Sequence, residues 1–279
     1  RKQSKKQSEK PLRKIKNRLI QAGWSDADKA FHKRSQGIRK HRVGRFRDAC
    51  PPKLKKAALD AGLPKTILTI PFGRGRGATN ISFQEIVRNR KSTYQSASDF
   101  SKAELLSFFK DWLKKGTPRW NGLDGRKRSY PSGGGVYEST VFALLQRIEG
   151  IPSGLYHLDV EGQSLNLLVR IEDIPVAMLT FPFIASGHKI KLPPPQAQLL
   201  LAADIKRLSW AYTAIPYRIG LANAVVLMTH GLLWAEAHKL GGFPMGIYPS
   251  NVFAKTLGVN EREYPLMCQF CLLGSNKKK

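Results

Sequence analysis

The run Arg128-Ser-Tyr-Pro-Ser-Gly-Gly-Gly-Val-Tyr137 decides how the rest of this 279-residue chain is read. Pro131, Ser132 and the glycines at 133, 134 and 135 strip residues 131–135 of side-chain bulk. Small residues let backbone approach a flat ligand closely and offer their N–H groups to its polar edge. An ordinary tight turn accounts for the same residues. Just beyond it, residues 136–147 alternate into an apolar run suited to a buried strand. Residues 155–159 and 164–168, parted by Glu161-Gly162-Gln163, read as a hairpin.

Working outward, Ser82 with Glu85 and Ser101 with Glu104 have the spacing of capping boxes. The first opens a short helix to about Arg90, the second a helix with a wide apolar face that stops by Gly116. Ser25 with Asp28 gives a similar start to a short helix ending near Arg34, and residues 53–61 form a second short basic helix. Residues 177–181 read as a strand or short helix, 199–204 as a strand, and 191–195 as a rigid proline connector. Residues 219–235 are long and apolar but hold Asn223 and His230, so a buried helix is expected rather than a membrane span. Lys239 and the pair Gly241-Gly242 mark its end. A last strand follows over 265–274. Mixed strands and helices of this kind indicate an α+β domain.

Three motifs in order resemble the nitroreductase-like FMN-binding family, in the branch of azoline (thiazole/oxazole) dehydrogenases. The opening run is similar to that branch's R-x-Y-P-S-G-G-A-L-Y signature. Gly154-Leu-Tyr-His-Leu-Asp159 resembles its G-L-Y-H-Y-D hairpin, and Arg207-Leu-Ser-Trp-Ala-Tyr212 with Tyr217-Arg218 its R-x-x-x-K-Y…Y-R segment. The resemblance covers residues 81–274 and implies a sheet flanked by helices with a long central helix. It implies FMN as cofactor, cradled by Pro131, Ser132, Gly133 and Gly134, with its phosphate held by Arg90, Lys91 and Ser92 and by basic residues such as Lys277 from the C-terminal end. It also implies a homodimer if the chain is an enzyme.

This sequence departs from the family where proton chemistry should lie. The last basic position of the phosphate run is Tyr94, and the Lys-Tyr pair is Ala211-Tyr212. Tyr212 is the remaining catalytic candidate, and a phenol titrating near 10 is a weak base. The helix position where the family often has Glu is Asn223, and its Gln-Asn pair is Thr229-His230. A lone His on a core helix reads as an interior residue.

The net charge of +27 is placed unevenly. Residues 1–66 hold 21 Lys/Arg against 5 Asp/Glu, residues 67–133 hold 13 against 5, and residues 134–276 are neutral. Four segments follow: a basic extension (1–66), a Gly/Arg-rich linker (67–80), the family-like domain (81–274) and a basic tail (275–279). So concentrated a charge invites a polyanion. Lys33, Arg34, Arg39, Lys40, Arg42, Arg45 and Arg47, with Arg74 and Arg76 on a glycine loop, are the expected RNA contacts. On this ground the favoured expectation is an RNA-binding structural component of a large ribonucleoprotein, such as a mitochondrial ribosome in the organellar matrix, built on a repurposed fold. An FMN-dependent oxidoreductase of the azoline dehydrogenase type is the alternative. Cys50, Cys268 and Cys271 form no disulfide framework, which suits a reducing compartment. The apolar surroundings of Cys268 and Cys271 read as core, and no metal site or membrane association is expected. The first residue is Arg1, as in a processed chain or a part of a longer one.

Overall fold

Strand pairing joins segments that lie far apart in the sequence. The structure, a computed structural model, describes residues 25–35, 62–75, 81–94, 98–118, 126–185, 194–212, 215–246 and 248–274. In chain order its elements begin with α1 (Asp26–Ser35), β1 (Leu68–Pro71), α2 (Phe83–Asn89) and α3 (Lys102–Trp112). The small pair β2 (Lys115–Pro118) and β3 (Arg126–Arg128) follows, then β4 (Ser139–Leu145), β5 (Gly154–Asp159), β6 (Ser164–Arg170) and α4 (Val176–Ala185). The last elements are β7 (Ala197–Ala203), α5 (Ile205–Ala211), α6 (Pro216–Ala237), β8 (Gly241–Met245), α7 (Ser250–Leu257) and β9 (Leu266–Leu273).

One antiparallel sheet has the order β1-β6-β5-β4-β7-β9-β8. Its two faces are read from alternating residues. Val141, Ala143 and Leu145 of β4 pack with α3, α5 and α6, whereas Phe142 and Leu144 pack with α4 and α7. Every residue of β7 and β9 is buried, so these strands read as continuous apolar runs. The α+β class expected from the sequence holds.

The helix α6 is long and apolar enough to cross a membrane, yet it lies against β7, β8, β9, α3 and α5. Trp112 anchors it, stacked on Phe108 at 5.4 Å, edge-on to Phe270 at 5.3 Å, and donating from Nε1 to the Leu227 carbonyl at 3.2 Å. Gly231 makes this approach possible, because a methyl group there would stand 2.8 Å from Phe270 and 2.9 Å from Trp112.

The capping expectation at α3 is met in full. Glu104 N–H donates to Ser101 Oγ at 3.3 Å, and Ser101 N–H donates to Glu104 Oε2 at 2.8 Å. Ser101→Ala is expected to lower the unfolding free energy by about 1 kcal/mol, which urea denaturation will read. The starts of α1 and α2 use Ser25 with Asp28 and Ser82 with Glu85 N–H.

Elsewhere the structure differs from the expectation. The stretch 67–80 was expected as a linker, but its residues 68–71 pair with β6 as an edge strand, tolerating Pro71 because an edge needs fewer donors. Of the two readings of residues 177–181 the helix holds, since they lie within α4. Gly241 and Gly242 open β8 rather than cap α6, and the left-handed residue after α6 is Lys239, at φ 59°. Cys268 and Cys271 belong to different packing clusters, and burial pushes the Cys268 thiol up to about 12 and that of Cys271 higher still. Both thiols are core residues, as their surroundings suggested. Residues 53–61 lie outside the described residues.

Candidate functional site

The glycine run forms a single 3₁₀ turn, Gly133–Gly135, with Gly134 and Gly135 left-handed at φ 60° and 66°. Only glycine enters that region without steric cost. The turn is held from α6, where Asn223 Oδ1 accepts the Gly133 N–H at 2.8 Å. The same amide donates from Nδ2 to Glu138 Oε1 and Oε2 at 2.9 and 3.1 Å and to Ser132 Oγ at 3.2 Å. Ser132 Oγ in turn donates to Glu138 Oε2 at 3.4 Å and accepts the Tyr137 N–H at 3.1 Å. A methyl group on Gly133 would stand 3.1 Å from Ile219 Cγ2, 3.3 Å from the Tyr212 hydroxyl and 3.4 Å from Asn223 Oδ1. Tyr212, Asn223 and the turn therefore meet at one point.

The rest of the motif frames this turn. Arg128 reaches Glu161 of the β5–β6 hairpin at 2.6 Å and lies 6.0 Å from the Tyr137 ring. Ser129 Oγ donates to the Trp112 carbonyl at 3.0 Å, and Tyr130 meets Tyr137 edge-on at 5.7 Å. Gly154, the first residue of the second motif, has room for no side chain, since a methyl group would lie 2.5 Å from the Val169 carbonyl oxygen. Arg207, which opens the third motif, is buried at the start of α5, where its N–H donates to Asp204 Oδ1 at 2.9 Å. The first and third motifs thus meet at the end of the β4–β7 pair where Ser139 opposes Ala203, whereas the second lies on β5, with Gly154 opposite Leu145 at the other end of β4.

Burial sets the electrostatics. Glu138 is 2% exposed, and loss of solvent pushes its carboxyl above the usual glutamate range, opposed by the Asn223 hydrogen bond and the Arg207 charge. Burial and then the Glu138 charge raise Tyr212 above the ordinary tyrosine range. Tyr212 therefore keeps its proton in this setting and can donate a hydrogen bond, which goes against using it as a base. Ala211 is fully buried. His230 is half-buried: Trp234 donates to its Nε2 at 3.2 Å, and burial holds the imidazole down to about 4.

Among the other expected cofactor residues, Pro131 and Gly134 are exposed and Ser132 is half-buried. Arg90 is half-buried and Lys91 and Ser92 are exposed, on a stretch running to the other end of α6. There the Thr93 N–H donates to the Gly242 carbonyl at 3.0 Å, and Tyr94 lies 4.7 Å from the Phe243 ring. Position 94 therefore anchors this stretch to β8. Lys33, Arg34 and Arg74 are exposed; Arg39, Lys40, Arg42, Arg45, Arg47, Arg76 and Lys277 lie outside the described residues. Among the described residues no group of three or more His, Cys, Asp and Glu side chains is placed to hold a metal ion.

Sequence reasoning missed Glu138. It is the one charged residue between Arg128 and Arg147, directly beside the quoted run, and a lone carboxylate opening an apolar run was the available signal. The resemblance puts Glu at position 223; the structure has Asn223 there and brings a carboxylate to it from Glu138 instead.

No protein-family model and no curated protein matches the sequence. Solved structures do match in fold. A protein from Anabaena variabilis assigned as a nitroreductase aligns at TM-score 0.58 and 18% identity over 75% of this chain. This chain spans only 42% of that protein's length. A second protein so assigned, from Ralstonia eutropha, gives 0.55 and 17%, covering 77% of this chain and 98% of that one. The E. coli microcin synthetase McbBCD complex with truncated pro-MccB17 bound gives 0.51 and 17%, covering 91% of this chain and 96% of that one. The fold of this chain is nitroreductase-like. These neighbours correct the expectation of an RNA-binding ribonucleoprotein component, which rested on charge: they are proteins assigned as nitroreductases and a microcin synthetase complex. Net charge speaks to solubility and association, whereas the site has to carry the function.

Proposed function

We propose that this chain is an FMN-dependent oxidoreductase of the azoline dehydrogenase type. The observation that carries the proposal is the glycine turn, clamped through Asn223 to a buried carboxylate with the Tyr212 hydroxyl beside it. The likeness to the microcin synthetase complex over 91% of this chain supports the dehydrogenase branch. Since that neighbour is a complex with a pro-peptide bound, we read this chain as a member of a protein assembly that acts on a peptide.

The residues present fit FMN. Hydrogen bonds of the turn engage the N–H groups of Gly133, Gly135, Val136 and Tyr137, leaving that of the exposed Gly134 for a ligand's polar edge. The side-chain-free surface of Gly134 admits a flat ring, and Arg90, Lys91 and Ser92 are the donors suited to its phosphate. When bound, FMN supplies a hydride acceptor. The chain's own part is to seat the ring on the turn and to orient the substrate with a hydrogen bond from the Tyr212 hydroxyl. Dehydrogenation also releases a ring proton; with Ala211 giving no amine at the position where the family has lysine, that proton passes to water rather than to a Lys-Tyr pair.

Titration of FMN with the purified full chain tests this. Saturable quenching of flavin fluorescence is expected, together with a visible flavin spectrum that bleaches on reduction. A folded chain that leaves the fluorescence of added FMN unchanged refutes the proposal.

A further inference from the structure

Glu138 is a buried carboxylate that the proposed chemistry does not use directly. Its side chain receives two contacts from Asn223 Nδ2, at 2.9 and 3.1 Å, and one from Ser132 Oγ at 3.4 Å, with its own backbone N–H and the Arg207 charge also favouring the ionised form. A primary amide donates through nitrogen and accepts through oxygen. An ionised carboxylate, which only accepts, therefore fixes which way the Asn223 amide faces. With Nδ2 turned to Glu138, Oδ1 is left to receive the Gly133 N–H. The opposite flip would set Oδ1 against the carboxylate and Nδ2 against an N–H donor, losing both bonds.

A proton relay through Ser132 is the competing account, and the geometry argues against it. The hydroxyl gives its hydrogen to Glu138 and already receives N–H donors from Tyr137 and Asn223. Both lone pairs are engaged, so a substrate proton finds no acceptor there. Glu138 acts on the site through other residues.

We infer that Glu138 is a positioning residue: its carboxylate holds the Asn223 amide in the one orientation that clamps Gly133, and its charge acts on the Tyr212 hydroxyl abutting the same glycine. This deepens the flavin proposal, and it rests on that proposal only for the identity of what sits on the turn. The groups facing Glu138 are Arg207 from α5, the Tyr212 hydroxyl, and the uncharged Asn223 and Ser132; Asp204 shares the Arg207 charge. Burial raises the Glu138 carboxyl, so its ionised form detracts from stability at neutral pH, as expected of a charge placed for a task rather than for the fold.

Two variants separate charge from hydrogen bonding. Glu138→Gln keeps an oxygen for Asn223 Nδ2 and removes the charge; Glu138→Ala removes both. Alkaline ultraviolet titration of full-length protein without flavin, minus the same titration of Tyr212→Phe, isolates the Tyr212 ionisation. In Glu138→Gln that ionisation should move to lower pH, and an unchanged midpoint overturns the charge effect. In the FMN titration, Glu138→Ala should bind about tenfold more weakly than wild type, as for one buried hydrogen bond lost, with Glu138→Gln in between. Equal affinity in all three overturns the clamp. If wild type binds no FMN, the functional proposal fails while the tyrosine titration still decides the role of Glu138.

Discussion

Gly133→Val is expected to weaken FMN binding by about a hundredfold while leaving the chain folded. Even a first methyl group would stand 3.1 Å from Ile219 Cγ2, 3.3 Å from the Tyr212 hydroxyl and 3.4 Å from Asn223 Oδ1, already tighter than ordinary contact. The two further methyls of valine have no space among these groups. Forcing extra carbon into packed surroundings costs about 1–3 kcal/mol, and here the movable partner is the turn, since Asn223 and Ile219 sit on the long helix α6. The turn would move off its clamp, taking the Gly134 N–H with it. About 2.7 kcal/mol corresponds to the hundredfold loss. The strands β4, β7 and β9 touch none of these contacts, so the thermal midpoint should fall only modestly. If Gly133→Val binds FMN as tightly as wild type, the turn is not the seat of the ring.

How far the sequence could be read depended on whether a feature is local. The β5–β6 hairpin announces itself through alternation and a Glu-Gly-Gln turn, and α3 through a reciprocal cap, because both are specified by residues a few positions apart. The strand β8, Gly241–Met245, holds two glycines and a proline and has no strand propensity of its own; pairing with β9 creates it. The edge strand β1 is likewise too short for alternation to show. The glycine turn and Tyr212 were legible as motif residues. Their link to Glu138 was not, because 85 residues separate Glu138 from Asn223, and only the packing of α6 across the sheet brings them together. The charge of 1–66 misdirected the functional expectation for a related reason. It lies mostly outside the described residues, and net charge speaks to association rather than to the chemistry of a site.

A second large effect is expected in acid, and it comes from His230. Trp234 donates to Nε2, so the proton of the neutral ring is on Nδ1, and that atom is buried without a hydrogen-bond partner among the described residues. The Tyr130 ring lies 6.1 Å away. Among the described residues no acceptor compensates a charge there, and burial holds the imidazole down to about 4 from the ordinary 6.5. The unfolded chain then binds a proton that the folded chain refuses. The stability this site contributes is complete above about pH 6.5 and is lost as pH falls through the folded value near 4. At 1.36 kcal/mol per pH unit the loss approaches about 3 kcal/mol, reduced by whatever screening the partial exposure of the ring allows. Glu138 runs the other way. Its folded value is raised, so it regains stability as pH falls through that value toward 4.5 and offsets part of the loss. Urea unfolding of wild type and His230→Phe at several pH values separates the terms. The variant should be about 1 kcal/mol less stable near neutrality, because Trp234 loses its acceptor. It should also lose distinctly less stability than wild type on going to pH 4. Parallel acid slopes for the two proteins would mean that His230 takes up its proton in the folded state as readily as in the unfolded one, and that its surroundings, Trp234 of α6 and the ring of Tyr130, are open to water.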